Sequence, residues 1–427
     1  MPLVWSPLSE IKGRKFVYLV SLAMTVLGSV AIALSPNMPC VIGFRCLQAT
    51  GSSAVMTIGA STLADIFDPE VRGTKMGIYY MAPLLGPAIG PILGGALTTA
   101  FHWRAIFWFL AIYAGLCCLS FIFFRDTYRK ERSLVYQHAL KSRLKHLQKA
   151  DNIERTRKSS ATSSVTAGVT KSPGEMTIVD EEKGIDVAKP DYSQVKVSLK
   201  DVSPFEHVWH CLRRINNLAT LSATGLFFAY CYMVTYAAAR MLAFGYGYNA
   251  MKIGLVTLSF GIGSILGSVC GGRWSDRTLA KLKEAQGGKG YPEMRLKSTI
   301  LAIVMMPPLI VIMGWIWQEH VPIAAVCVLL FVNGFFYIWP YASAVAYIVD
   351  ANQGRSSIAV ATNSLFRGIL AFIATELTVP LQDGLGSGWM MTLWAFIMAF
   401  AGLLILATYW KGKSWREKAE SREAASF

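Results

Sequence analysis

Charged residues are scarce in this sequence. They make up 16% of its 427 residues, whereas 53% are hydrophobic. Soluble domains carry a charged share of about a quarter, so the composition excludes an ordinary soluble enzyme. The apolar residues come in blocks of about twenty, the length that a helix needs to cross a hydrocarbon core of about 30 Å. The sequence therefore predicts an all-α polytopic membrane protein.

The sequence also lacks the patterns of common catalytic and metal sites. Its six histidines are scattered without an H-E-x-x-H pair, and no Ser/His/Asp arrangement stands out. The eight cysteines include no C-x-x-C pair and lie mostly in apolar blocks. Cysteine in such surroundings behaves as a small hydrophobic residue. We therefore predict neither an enzyme nor a bound metal or cofactor.

Ten apolar blocks are long enough to span a bilayer, and residues 3–8 form part of a further one. The blocks cover residues 16–34, 40–63, 76–99, 104–124, 217–242, 250–272, 297–318, 321–349, 357–381 and 388–410. Several connections between them have room only for a turn. Consecutive blocks are therefore predicted to be antiparallel helices.

Basic residues are distributed unevenly around these blocks. The net charge of +15 arises from 41 Lys and Arg against 26 Asp and Glu. If the first basic loop is cytoplasmic, 36 of the 41 basic residues fall on that side, which is the bias that orients membrane proteins. The positive charge thus indicates topology and contact with an anionic inner leaflet, and not nucleic-acid binding.

Residues 126–205 differ from the rest of the chain. Basic residues there give way to Ser, Thr and Gly, and then to an acidic cluster at 180–182. Such a composition buries too little apolar area to offset the entropy of ordering. We predict a largely disordered cytoplasmic linker between two helical bundles, 1–125 and 206–410, with a cytoplasmic tail at 411–427.

The most specific pattern lies in the block 76–99. It has the form G-x8-G-x3-G-P-x2-G-G and consists of Gly77, Gly86, Gly90, Pro91, Gly94 and Gly95. Glycine at four-residue spacing lets helix backbones touch, and proline removes a helix hydrogen bond. Packing alone is the simpler interpretation of a single G-x-x-x-G. The full string resembles the fifth-span antiporter motif of drug/proton antiporters of the major facilitator superfamily.

Other stretches resemble the same family. Residues 7–15 look like its loop between spans two and three, and residues 271–277 resemble the degenerate repeat of that loop in the second half. Arg45, Gln48 and Gly51 resemble the fourth-span motif R-x-x-Q-G, although the glycine comes two places late. The chain is most similar to fungal multidrug and metabolite exporters with a long central loop.

The resemblance implies a major facilitator fold, with two six-helix bundles related by a pseudo-two-fold axis. On that pattern, residues 1–125 hold spans 2 to 6 and residues 206–410 hold spans 7 to 12. We expect the first span and part of the second to be missing from this N-terminus. Either the sequence is a fragment or has a misplaced start, or it is a truncated product.

Two charged residues inside the apolar blocks are candidates for proton coupling, since charge in hydrocarbon is costly and points to function. In the family, the arginine of the fourth-span motif is linked to proton movement, which assigns that role to Arg45. Its alternative role is an interfacial arginine that reaches the headgroups. Glu376 is the one carboxylate well inside a second-half block, where desolvation favours its protonated form. Because Glu376 lies only about one helical turn from Pro380, a position at the outer interface or in an outer gate is an equal or better interpretation.

A second group of residues is expected at the cytoplasmic ends of the spans. By resemblance, it forms a charge network that holds the outward-facing state closed on the inside. The group comprises Glu10, Gly13, Arg14, Asp65, Arg72, Asp276, Arg277 and Arg367. Glu10 stands where the family usually has aspartate. Arg367 joins the group if its span begins near Asn363 and not at Ser357.

These features predict a monomeric secondary transporter that exports lipophilic or amphipathic drugs or metabolites in exchange for protons by alternating access. Aromatic and Met-rich cavities with few fixed charges suit such molecules. A proton-coupled uptake symporter and a non-transporting receptor or pseudotransporter are the alternatives. The predicted partners are a small-molecule substrate, protons and the lipid bilayer, without nucleic acid. The expected location is the plasma membrane, with the vacuolar membrane as the alternative.

Overall fold

The computed structural model describes residues 2–66, 79, 86, 89–90, 92–124, 126, 204–285, 287, 290–319, 321–352 and 356–425. All regular structure in these residues is helical. They belong to one compact unit built from Met1–Arg129 and Pro204–Phe427. The predicted linker, most of block 76–99 before residue 92, and Arg72 lie outside the described residues, as do the side chains of Glu10 and Asp65.

The described residues of the N-terminal part form five helices. In chain order they are α1 (Pro2–Lys12), α2 (Arg14–Ala33), α3 (Met38–Ile66), α4 (92–100) and α5 (Arg104–Ile122). Helix α2 packs along both α3 and α5. Its crossing with α3 depends on small residues: a Cβ on Gly51 would stand 2.5 Å from the carbonyl oxygen of Ser21. Gly51, two places late in the fourth-span motif, is therefore a packing residue.

The C-terminal part begins with a short helix and continues with long ones. The elements are α6 (Pro204–Arg213), α7 (Ile215–Phe244), α8 (Ala250–Ala285), a 3-10 helix (Pro292–Thr299), α9 (Ile300–Gln318), α10 (Ile323–Ala351) and α11 (Ser356–Ala425). Gly386, with φ +76°, interrupts α11 in a conformation that favours glycine. The break separates the predicted blocks 357–381 and 388–410.

A glycine stripe on α8 sets its distance from α10. Gly263, Gly267 and Gly271 recur every four residues, and a Cβ on either of the first two would overlap a carbonyl oxygen of α10. A Cβ on Gly271 would stand 2.7 Å from the Trp339 ring. The backbones of α8 and α10 therefore touch over two helical turns, the packing that small-xxx-small patterns allow in membranes.

The helices carry the surface that a bilayer requires. Seven helical stretches among the described residues are long and apolar enough to cross a membrane. Large apolar side chains such as Ile112, Phe372 and Phe396 are 63%, 65% and 72% exposed. Exposed apolar area on this scale fits contact with lipid tails.

The predicted tail is helical as far as Ala425, as a continuation of α11. Its first turns contact the 3-10 helix: Arg416 Nε lies 3.0 Å from Oε1 of the buried Glu293. Lys413 Nζ stands 3.9 Å from the centroid of the Tyr291 ring. The tail is thus tied to the connection between α8 and α9.

Candidate functional site

The R-x-x-Q pattern joins three helices. Arg45 is seven residues, or about 10 Å, beyond the start of α3 at Met38. Its guanidinium donates to Gln48 Oε1 at 3.1 Å, and Gln48 Nε2 donates to Ser29 Oγ of α2 at 2.7 Å. Arg45 Cζ also stands 4.8 Å from the centroid of the Phe107 ring of α5. The arginine is thus held by an amide and a ring, and no described carboxylate pairs with it.

A polar cluster joins the ends of α1, α2 and α5 that are predicted to be cytoplasmic. Arg14 is 3% exposed and its guanidinium donates to Ser9 Oγ, while its backbone N–H donates to Asp126 Oδ1 at 3.1 Å. Gly13 has φ +90° and ψ 161°, and a Cβ there would overlap the Asp126 carboxylate. The structure therefore brings the expected gate residues Gly13 and Arg14 together around a carboxylate from α5's end.

A second ionic cluster joins three elements of the C-terminal part. Arg295 Nη1, in the 3-10 helix, lies 3.3 Å from Asp276 Oδ1 of α8. Arg295 Nε lies 3.3 Å from Asp350 Oδ2, near the end of α10. Asp276 is therefore one of two carboxylates that share one arginine. Arg277, in contrast, is exposed and forms no ion pair with any residue in the described ranges.

Arg367 lies apart from the start of its helix. Because α11 begins at Ser356, Arg367 is eleven residues, or about 16 Å, along it. Its Cζ stands 4.0 Å from the centroid of the Phe228 ring of α7. The structure thus places Arg367 within the apolar block 357–381, beside an aromatic ring, and not among the clusters of Arg14 and Asp276.

Glu376 lies on the opposite side of α11 from Arg367, because nine residues correspond to about half a turn of offset. It is exposed, and its neighbours Phe372 and Leu377 are exposed too. It precedes the break at Gly386 by ten residues, or about 15 Å. In the part of the chain that the structure covers, Glu376 forms no ion pair with Arg45 or Arg367.

The antiporter pattern has one position of close backbone contact among its described glycines. A Cβ on Gly95 would stand 2.6 Å from the Ala250 carbonyl oxygen and 3.0 Å from Met251 Cα, in the first turn of α8. Helix α4 belongs to the N-terminal part and α8 to the C-terminal part. Gly95 thus lets the two parts of the chain meet through their backbones.

The other described glycines of the pattern have more room. A Cβ on Gly94 would find its nearest atom, Ile106 Cδ1, at 3.9 Å, an ordinary van der Waals contact. At Gly86 and Gly90 it would meet no described atom within 4 Å. Gly77 and Pro91 lie outside the described residues. Among the described glycines of the pattern, close contact with another backbone is therefore seen at Gly95.

The family model of the Major Facilitator Superfamily matches residues 1–375. The chain belongs to the major facilitator superfamily. This confirms the resemblance and the predicted helical fold, and it makes the chain a transporter and not an enzyme.

Curated relatives of this transporter include fungal efflux proteins. It is 28% identical to the MFS antiporter QDR3 of Candida albicans, over 97% of this chain and 71% of the relative. It is 28% identical to efflux pump radE of Floropilus chiversii, over 93% and 67% of the two chains. Citrate exporter 1 of Aspergillus niger is 26% identical over 99% of this chain and 78% of the relative.

Solved transporters share the fold. The human organic anion transporter MFSD10 aligns with a TM-score of 0.56 at 15% identity, covering 95% of this chain and 79% of that one. A D-xylose–proton symporter aligns with a TM-score of 0.63 at 11% identity, covering 95% and 84%. At such identities the likeness shows the fold alone.

Sequence reasoning missed three charged residues of this transporter's clusters: Asp126, Arg295 and Asp350. Asp126 and Asp350 each follow the end of an apolar block by one or two residues. A carboxylate at such a place is a signal that could have pointed to them. Arg295 is one of several basic residues between blocks, and only its contacts distinguish it.

Proposed function

We propose that this transporter exports amphipathic small molecules, such as drugs or secondary metabolites, in exchange for protons by alternating access. Two fungal relatives are named as an efflux pump and a citrate exporter, which supports the export direction, and a third is named as an antiporter. The observation that carries the proposal is the backbone contact of Gly95 in the antiporter pattern with the first turn of α8. Alternating access requires contacts between the two halves to form and break while each half stays rigid.

The charged clusters are of the kind that keeps each half rigid. Arg14 and Asp126 connect helices within the N-terminal half, and Arg295 connects helices within the C-terminal half. Such contacts keep the ends of each bundle together as the bundles rock. The contact at Gly95 differs from these clusters because it joins the two halves. It has to open when the halves separate.

Proton coupling is assigned to Arg45 and Glu376. A guanidinium keeps its proton in proteins, so Arg45 would hold water or tune a nearby carboxylate and would not carry the proton itself. Its bond to Gln48 fixes the position of that charge. Glu376 has no described ion-pair partner, so protonation of its carboxylate would not leave a positively charged side chain without its counter-charge.

Purified protein in liposomes tests the proposal. An inward-directed flux of protons should accompany outward movement of an amphipathic dye, and an imposed pH difference should drive the dye to accumulate on one side. Protons and dye moving in the same direction would establish the symporter instead. Absence of both fluxes, in protein that still binds the dye, would favour the non-transporting receptor.

A further inference from the structure

Arg367 carries a charge ten residues inside the apolar block 357–381, without a counter-charge in the described residues. Its Nε atom is inaccessible to solvent and has no hydrogen-bond partner in the part of the chain that the structure describes. Glu376 cannot neutralise it from the opposite side of the helix. A charge at such a depth is costly, and in transporters it marks a substrate or ion pathway by default.

One aromatic ring covers this guanidinium, and two tyrosine rings of α7 and α10 lie beside that ring. Phe228 covers it at 4.0 Å, a cation–π distance. The Phe228 ring lies 4.9 Å from the Tyr232 ring and 6.4 Å from the Tyr341 ring, centroid to centroid. Tyr232 is 48% exposed, so the group is open on one side.

The geometry leaves the hydrogen-bonding capacity of Arg367 unused. A ring that covers a guanidinium contacts its face, whereas the N–H donors lie along its edge. Arg45 differs, because its guanidinium already donates to the Gln48 amide. Among the described residues, the Arg367 guanidinium therefore makes no hydrogen bond, and all of its N–H donors are available to a ligand.

We propose that Arg367, Phe228, Tyr232 and Tyr341 bind the anionic group of an amphipathic substrate, a carboxylate or sulfonate joined to an aromatic or apolar body. The fork of the guanidinium matches the two oxygens of a carboxylate. The aromatic rings stack against the body of the molecule. The same fixed charge repels organic cations. This inference rests on the proposed function and names its substrate class.

Binding to the full chain in lipid nanodiscs tests the site with three probes of one shape. The probes are 2-naphthoate, its neutral amide 2-naphthamide, and the cation 2-naphthylmethylammonium. Calorimetric titration, corrected with empty nanodiscs, should give naphthoate an affinity at least about tenfold higher than the amide, as expected for loss of a charge-assisted hydrogen bond. The ammonium probe should bind more weakly than the amide.

Variants assign the preference to Arg367. Arg367→Gln should lower naphthoate affinity to that of naphthamide and leave naphthamide affinity unchanged, which also shows that the variant is folded. The naphthoate affinity of Arg367→Lys should lie between those of the wild type and Arg367→Gln, since lysine keeps the charge and loses the planar fork of donors. Lys411→Gln, an exposed charge loss at the end of the membrane block, is the matched control and should change nothing.

Two results would overturn the site: naphthoate affinity unchanged in Arg367→Gln, or a wild-type preference for the ammonium probe. The second comparison needs no variant, so it decides the question even if both substitutions impair folding. Because binding is measured without a proton gradient, its failure leaves proton-coupled export standing. Anion binding without any proton-linked flux would reject the export and keep the site.

Discussion

Gly95 lies against the carbonyl group of Ala250, so the antiporter pattern contacts the first turn of α8 through backbone atoms. The contact joins the N-terminal part of the chain to the C-terminal part. Any side chain at position 95 has to push the two parts away from each other at this point. A Cβ on Gly90, five residues earlier, would meet no described atom within 4 Å, so Gly90 offers a comparison on the same pattern.

We therefore expect Gly95→Leu to reduce dye efflux at least about tenfold, since the added bulk separates helices that now touch. Gly90→Leu should retain much more activity. Efflux from energised vesicles measures both, with membrane insertion checked for each variant. Equal loss of efflux in the two variants would mean that the pattern acts through something other than the contact with α8.

Arg45 should be required for coupling. Arg45→Ala removes the charge together with its hydrogen bond to Gln48 and its contact with the Phe107 ring, and should stop or uncouple proton-linked export. Arg45→Lys should keep some activity, because it retains the charge and loses the planar fork. Simultaneous recording of internal pH and dye efflux in liposomes measures the coupling. Wild-type coupling in Arg45→Ala would remove this residue from the mechanism.

Glu376→Gln mimics the protonated carboxyl permanently. If Glu376 carries the proton, this variant should exchange labelled substrate across the membrane and yet fail to accumulate it against a gradient. Counterflow and gradient-driven uptake, measured on the same preparation, separate the two activities. Accumulation at the wild-type level would identify Glu376 as an interfacial residue.

Gly13 should be intolerant of a side chain. Its φ of +90° and ψ of 161° fall in a region that is essentially restricted to glycine, and a Cβ would overlap the Asp126 carboxylate. Gly13→Ala should therefore destabilise the fold by at least about 1–3 kcal/mol. Gly43→Ala is the matched control, a helical glycine with open space whose replacement should be neutral or slightly stabilising. Thermal unfolding in detergent compares them, and equal midpoints would contradict the strained turn.

The family and the course of most helices were predictable from the sequence. Apolar blocks report local composition, and α2, α3, α5, α7, α9 and α10 follow the predicted blocks to within a few residues, whereas α8 continues to Ala285 and α11 joins two blocks and the tail. The proton-coupling role of Arg45 came from the family resemblance and stays a prediction, but its contact with Gln48 lies within one helical turn and matches the R-x-x-Q spacing. Features of this kind depend on residues near each other in the chain, so periodicity and motif spacing capture them.

Only the tertiary structure decided which residues far apart in the sequence contact each other. Asp126 contacts Gly13 and Arg14, more than a hundred residues away in the chain, because the end of α1, the start of α2 and the end of α5 lie side by side. Gly95, and neither Gly90 nor Gly94, meets α8, because the helix crossing selects one face of the glycine string. Arg367 lies beside Phe228 because α7 and α11 pack along each other, a relation between distant segments that an apolar window does not fix. Helix ends and crossing points depend on packing between distant segments, which local sequence does not encode.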